Sequence, residues 1–193
     1  MKRIFRSNKM KTLFKSMLLL SIVNSSSVWA DNSLENTANS ALESAGESVE
    51  IANKEAVSNA LSTVQQRWAQ VNYQLFGDAQ HSAFDELMIQ IDNIVKANPN
   101  DAKGWIWQGI IKSSYAGAKG GLGALSLAEQ DKESLEKALM LDELALSGSA
   151  YTSLGTLYHK VPGWPIGFGD DDKAKTMLGK AVELNPTGID PNY

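Results

Sequence analysis

From Leu61 onward, large apolar side chains recur at three- and four-residue steps. Leu61, Val64, Trp68, Val71 and Leu75 fall on one face of a helix. Phe84, Leu87, Ile91, Ile94 and Val95 repeat the pattern after a Gly77-Asp78 turn. That second helix is expected to stop at Asn98-Pro99, because a proline disfavours helical backbone in the residue before it. No run alternates with period two, so the fold class predicted is all-α. Upstream, residues 31–58 are rich in Ser, Asn, Ala and Glu and carry few large apolar side chains. Such a segment buries too little surface to offset its chain entropy, so it is expected to be a polar tether, disordered or partly helical towards its end.

The pattern repeats with a definite grammar near the C-terminal end. Tyr151, Leu154, Gly155 and Tyr158 stand at the spacing W-x-x-L-G-x-x-Y, with Tyr in place of Trp. Ala174, Leu178, Ala181 and Pro186 then follow the second-helix pattern of the same unit. Large residues fill the space between two paired helices, and the small Gly155 and Ala174 let the backbones approach. Pro186 ends the unit. The preceding unit is in phase: Trp105 and Gly109 take the large and small positions of its first helix, and Leu135 and Ala138 those of its second. Glu143 stands where a proline is expected.

On these residues the chain resembles a tetratricopeptide-repeat protein from about Leu61 to Pro186. The resemblance implies a right-handed solenoid of about three helical hairpins within a domain spanning residues 59–193. A narrower resemblance lies in Lys160 to Lys173 (KVPGWPIGFGDDDK) and Gly188 to Tyr193 (GIDPNY), which are similar to small periplasmic proteins of the TRAP-transporter T-component type. That likeness implies a protein partner, a periplasmic solute-binding protein among the candidates, or a small hydrophobic ligand, held on the concave repeat surface.

One departure stands out. Repeats of this kind are ~34 residues long, yet Trp105 and Tyr151 stand 46 residues apart. Ser114 to Glu129 and Lys160 to Asp172 are expected to be loops inserted between paired helices, emerging side by side. The first is rich in glycine (Gly117, Gly120, Gly121, Gly123); the second carries Trp164, Ile166 and Phe168 among two prolines. They would form an apolar lid over a pocket walled by Trp105, Trp107, Tyr151, Trp164 and Phe168, or plug the local core.

The first thirty residues change the charge balance. Lys2, Arg3, Arg6, Lys9, Lys11 and Lys15 precede a short apolar run, Leu18 to Val23, and a Val28-Trp29-Ala30 cleavage site. The run is far below the ~20 residues of a membrane span. Residues 1–30 therefore read as a cleaved signal peptide, and the protein as periplasmic or otherwise exported, with no membrane span after its removal. Removal leaves 12 basic against 22 acidic residues, a formal charge of −10. So acidic a chain would repel a phosphate backbone, which argues against nucleic acid. With no cysteine, disulfides and thiolate chemistry are excluded.

The remaining chemistry is sparse. No Gly-Lys-Ser/Thr follows the glycines, and Gly121-Leu122-Gly123 is no dinucleotide fingerprint. His81 and His159 have no metal-ligand spacing. Asp170-Asp171-Asp172 lacks the alternating donors of a calcium loop and reads as the cap of a helix beginning near Lys173. No catalytic, cofactor or metal residue is assigned. The expected function is a non-enzymatic interaction module; the alternative is a carrier of small hydrophobic ligands or a TRAP-transporter accessory. Because Gly188 to Tyr193 opens what resembles a further repeat, the sequence is also expected to stop short of a longer protein's end, leaving Met177, Val182 and Leu184 uncovered.

Overall fold

The computed structural model describes residues 32–188. The predicted signal segment 1–30 and residues 189–193 lie outside them. The helices are α1 (Asn32–Gln74), α2 (Gly77–Ala97), α3 (Ala102–Lys119), α4 (Gly121–Leu141), α5 (Ser149–Lys160) and α6 (Asp171–Leu184). The described residues hold no strand, only an isolated bridge between Gly163 and Gly169. None of these helices is long and apolar enough to cross a membrane.

The chain divides into two units, the first ending at Glu47 and the second beginning at Ser48. The described part of the first is helical and belongs to α1. Residues 32–58 contain no proline and one glycine, Gly46, and are well supplied with Ala and Glu, a composition that helical backbone tolerates. Leu42 is 71% exposed.

The second unit builds two adjoining cores. In the first, Leu61, Val64 and Val71 of α1 meet Phe84, Leu87 and Ile91 of α2, with Ile111 and Tyr115 of α3. In the second, Ile106 of α3 meets Leu135 and Ala138 of α4, Leu154 and Tyr158 of α5, and Ala174 of α6. Each helix from α2 to α6 packs on its successor, and α3 also reaches α5. α2 ends at Ala97, where Asn98-Pro99 was expected to stop it. Asp101 and Asp170 cap α3 and α6 by accepting from the Lys103 and Lys173 amides, both at 3.0 Å.

Two repeat glycines sit where helices cross. A methyl added to Gly109 would stand 2.7 Å from Asp131 Oδ1 and 2.8 Å from Leu135. One added to Gly155 would stand 2.6 Å from Leu178 Cγ and 3.1 Å from its backbone nitrogen. α3·α4 and α5·α6 are therefore the close-packed pairs, as the small residues implied. Ala138, Leu154, Tyr158, Ala174 and Ala181 are buried as well. Pro186 lies in the turn beyond Leu184.

The first inserted loop is corrected. Residues 114–119 continue α3 and residues 121–129 begin α4, so the additional length is helix. The break falls only at Gly120 and Gly121, both at positive φ (64° and 61°). Gly117 is tolerated within the helix because Tyr115 and Ala116 beside it are buried in the core. The second segment is a true loop between α5 and α6. At the last helix, Val182 is exposed, whereas Met177 and Leu184 are half-buried.

Candidate functional site

α2 and α4 flank α3, and between them a groove of about 710 Å³ opens with α3 as its floor. α2 contributes Met88, Asp92, Val95 and Lys96; α4 contributes Gln130, Glu133, Ser134 and Lys137. Trp105, Gln108 and Lys112 rise from α3, and Pro99 completes the lining. The lining is mixed: an apolar strip at the Trp105 end, with acids and lysines along both walls.

The floor is rigidly bonded. Gln108, Lys112 and Ser134 are all buried. The Lys112 ammonium donates to Ser134 Oγ at 2.9 Å, Gln108 Oε1 at 3.2 Å and the Gln130 carbonyl at 3.3 Å, which uses its three protons. Ser134 Oγ lies 2.7 Å from Gln108 Oε1 and 2.8 Å from the Gln130 carbonyl. Gln108 Nε2 donates to Asp92 Oδ1 at 2.7 Å, tying the floor to the α2 wall. Burial pushes the Lys112 ammonium down from its usual pKa, while Asp92, Asp131 and Glu133 pull it back up.

Behind the floor, Asp131 is 1% exposed, and neither of its carboxylate oxygens has a hydrogen-bond partner. Burial pushes its pKa up to about 7. The nearby Ser113 hydroxyl and the Lys112 ammonium favour the charged form, but Ser113 stands outside hydrogen-bonding geometry. A buried carboxylate lacking bonds is held nearer its neutral form.

The expected aromatic residues do not converge on this groove. Trp105 lines it, its indole N–H donating to the Pro99 carbonyl at 2.9 Å. Trp107, two residues on, faces the other way, 5.5 Å edge-on to Trp68, with a buried Nε1 that has no partner. At 100° per residue, positions two apart point to nearly opposite sides of a helix. Tyr151 donates to Glu143 Oε2 at 2.7 Å. Trp164 is 90% exposed and Phe168 packs edge-on against Tyr158.

The Lys160 to Asp172 segment does lie against the start of α4: Leu125 would stand 3.2 Å from a methyl on Gly167, and Lys132 covers the Phe168 ring. Leu125 and Lys132 occupy a face of α4 nearly opposite Gln130, Ser134 and Lys137. The loop is thus no lid for this groove. Phe168 plugs the core, whereas Trp164 and Ile166 do not.

The histidines and aspartates have structural partners. His81 Nε2 stands 3.1 Å from the Ala118 carbonyl, joining α2 to the end of α3. His159 Nδ1 stands 3.1 Å from Asp171 Oδ1. Asp170 is held below the usual carboxylate range, chiefly by the Lys173 amide it caps. Among the described residues no group of three or more acidic or histidine side chains could hold a metal ion.

Gln108, Lys112, Asp131 and Ser134 were not singled out from the sequence. The available signal was polar pairs four residues apart, Gln108/Lys112 and Gln130/Ser134, inside otherwise apolar helix faces. No protein-family model matches the chain, and no curated protein matches it.

Proposed function

We propose that the chain is an exported tetratricopeptide-like interaction module, and that the groove between α2 and α4 receives a peptide segment of a protein partner. The observation that carries this is the groove's makeup. An apolar strip with Trp105 lies beside a hydrogen-bonded polar floor, and walls of both charge signs rim the opening. Such a surface suits an extended peptide carrying apolar and charged side chains. The equivalent crossings at Gly109 and Gly155, 46 residues apart, and the succession of packed helices support reading α3–α4 and α5–α6 as repeat units. In that reading α2 and α4 are second helices of successive units. The docking face then belongs to the second-helix side rather than to the concave surface the resemblance implies.

The same resemblance makes a periplasmic solute-binding protein the first partner to try. Cleavage after Ala30 would deliver the protein there, and N-terminal sequencing of material from fractionated cells tests that step. Peptide binding is tested by random-peptide display on the immobilised mature protein. Enriched peptides, synthesised and measured by fluorescence anisotropy, should bind Trp105→Ala and Lys137→Glu roughly tenfold or more weakly. If no enriched peptide is sensitive to either substitution, the groove is not the docking site.

A further inference from the structure

The Pro162–Gly169 loop is firmly held, yet it presents its largest side chains to solvent. Its base is closed by the Gly169 amide donating to the Pro162 carbonyl at 3.0 Å. Within it, the Ile166 and Gly167 amides donate to the Gly163 carbonyl at 3.2 and 3.3 Å. The Asp170 amide fastens the following residue to the Tyr158 carbonyl at 2.9 Å. Phe168 is pinned between Tyr158 and Lys132. Trp164 is nevertheless 90% exposed and Ile166 68% exposed. A held loop with an exposed indole is a preorganised knob, since little conformational entropy is lost when it docks. Directly after its base comes the acidic run Asp170 to Asp172, of which Asp170 faces Lys173 and Asp171 faces His159.

The groove between α2 and α4 has the complementary makeup. Met88, Val95, Pro99 and Trp105 supply apolar surface, and Lys96 and Lys137 stand on opposite walls at the Trp105 end. Asp92 and Glu133 lie one helical turn further along those walls. The loop rests on a different face of α4 from the one that lines the groove, so it does not fill the groove of its own chain.

We propose that the loop of one copy inserts Trp164 and Ile166 into the groove of a second copy, with the Asp170–Asp172 run beside Lys96 and Lys137. This rests on the groove being a peptide-docking site and names its occupant. Knob and groove are different patches, so the contact is heterologous: each pair keeps one free knob and one free groove, and association propagates head to tail unless a ring closes. Added salt should weaken it, because the charge pairing is at an exposed rim.

Sedimentation velocity of the mature protein, from micromolar to submillimolar concentration, tests the proposal. The wild type should grow in sedimentation coefficient with concentration. Trp164→Ala, lacking the knob, and the double variant Lys96→Glu, Lys137→Glu, with a reversed groove rim, should each stay monomeric. Mixed in equal amounts they should form dimers and nothing larger, because one intact knob and one intact groove remain between them. Should the double variant fail to fold by circular dichroism, the single variant Lys137→Glu takes its place in both measurements. A wild type that stays monomeric, a Trp164→Ala protein that assembles like wild type, or a mixture that stays monomeric overturns the pairing. Display peptides that still bind through Trp105 would then show that the groove docks partners other than its own chain.

Discussion

Gly109 and Asp131 meet where α3 crosses α4: the carboxylate lies so close to the glycine that an added methyl would stand 2.7 Å from its Oδ1. The contact explains why the small residue is needed and why the acid is unusual. Asp131 is sealed from water by the helix it packs against, and neither oxygen finds a donor. Charging it inside the fold is therefore unfavourable.

The consequence is a pH-dependent stability with a definite sign. The pKa of Asp131 rises from an unfolded value of 3.8 to about 7 in the fold. Between those values the folded chain holds the extra proton, so this residue's contribution is fully present below 3.8 and is lost as pH rises through about 7. The shift corresponds to a loss of up to roughly 4 kcal/mol. Asp131→Asn removes the titration. Denaturant melts at pH 4 and pH 8 should show the variant gaining on wild type at the higher pH. Parallel stability curves for the two proteins would contradict the buried, unpaired carboxylate.

Lys112 offers a second test of the same region. Its ammonium is the charge that pulls the Asp131 pKa back towards the normal range. Lys112→Met should therefore push the aspartate above about 7. It should also cost about 1–3 kcal/mol, because Gln108 Oε1 and the Gln130 carbonyl each lose their lysine donor in a buried setting. A carbon-13 carboxyl titration reads the first effect directly. An unchanged or lowered Asp131 pKa would mean that the two groups do not sense one another.

Much of this architecture was legible because helix periodicity and close-packed glycines are local signals. Leu87, Ile91 and Ile94 announce α2, and Gly155 with Leu178 announces the α5–α6 crossing. The Gly117–Gly123 stretch misled for a physical reason. Each interior glycine costs a helix about 1 kcal/mol, and burial of Tyr115 and Ala116 outweighs that cost up to the Gly120–Gly121 break. The groove floor was hidden differently. Gln108 and Lys112 are of residue types that usually face solvent, and the packing of α4 over α3 buries them. Trp105 and Trp107 cannot wall one pocket together, because two-residue spacing places them on opposite sides of α3.

Gly155→Leu should destabilise the α5–α6 pair on the order of 1–3 kcal/mol or more, as an overpacked core. The reason is specific: a Cβ at this position meets the Leu178 backbone nitrogen at 3.1 Å as well as its side chain. A flexible side chain can swing aside, but the backbone of α6 cannot move without parting from Ala174 and Ala181, which anchor it to the core. Thermal denaturation compared with wild type provides the measurement. An unchanged melting temperature would place the crossing elsewhere.

Trp164 and Phe168 lie four residues apart on one loop and should behave in opposite ways. Trp164 is 90% exposed and belongs to neither core, so Trp164→Ala should change stability by no more than about 0.5 kcal/mol. Phe168 is half-buried, set edge-on to Tyr158 at 5.8 Å and covered by Lys132 at 5.4 Å. Its truncation should cost roughly 1–3 kcal/mol, less than a fully buried phenylalanine because part of the ring is already wet. For a domain of this size that lowers the melting temperature by several degrees. The contrast separates two roles within a single aromatic segment, one side chain holding the loop and the other presented by it. Differential scanning calorimetry of both alanine variants, run dilute so that association does not contribute, decides the matter. Equal losses would mean that Trp164 is packed rather than presented. A harmless Phe168→Ala would mean that the backbone bonds at Gly163 and Gly169 hold the loop by themselves.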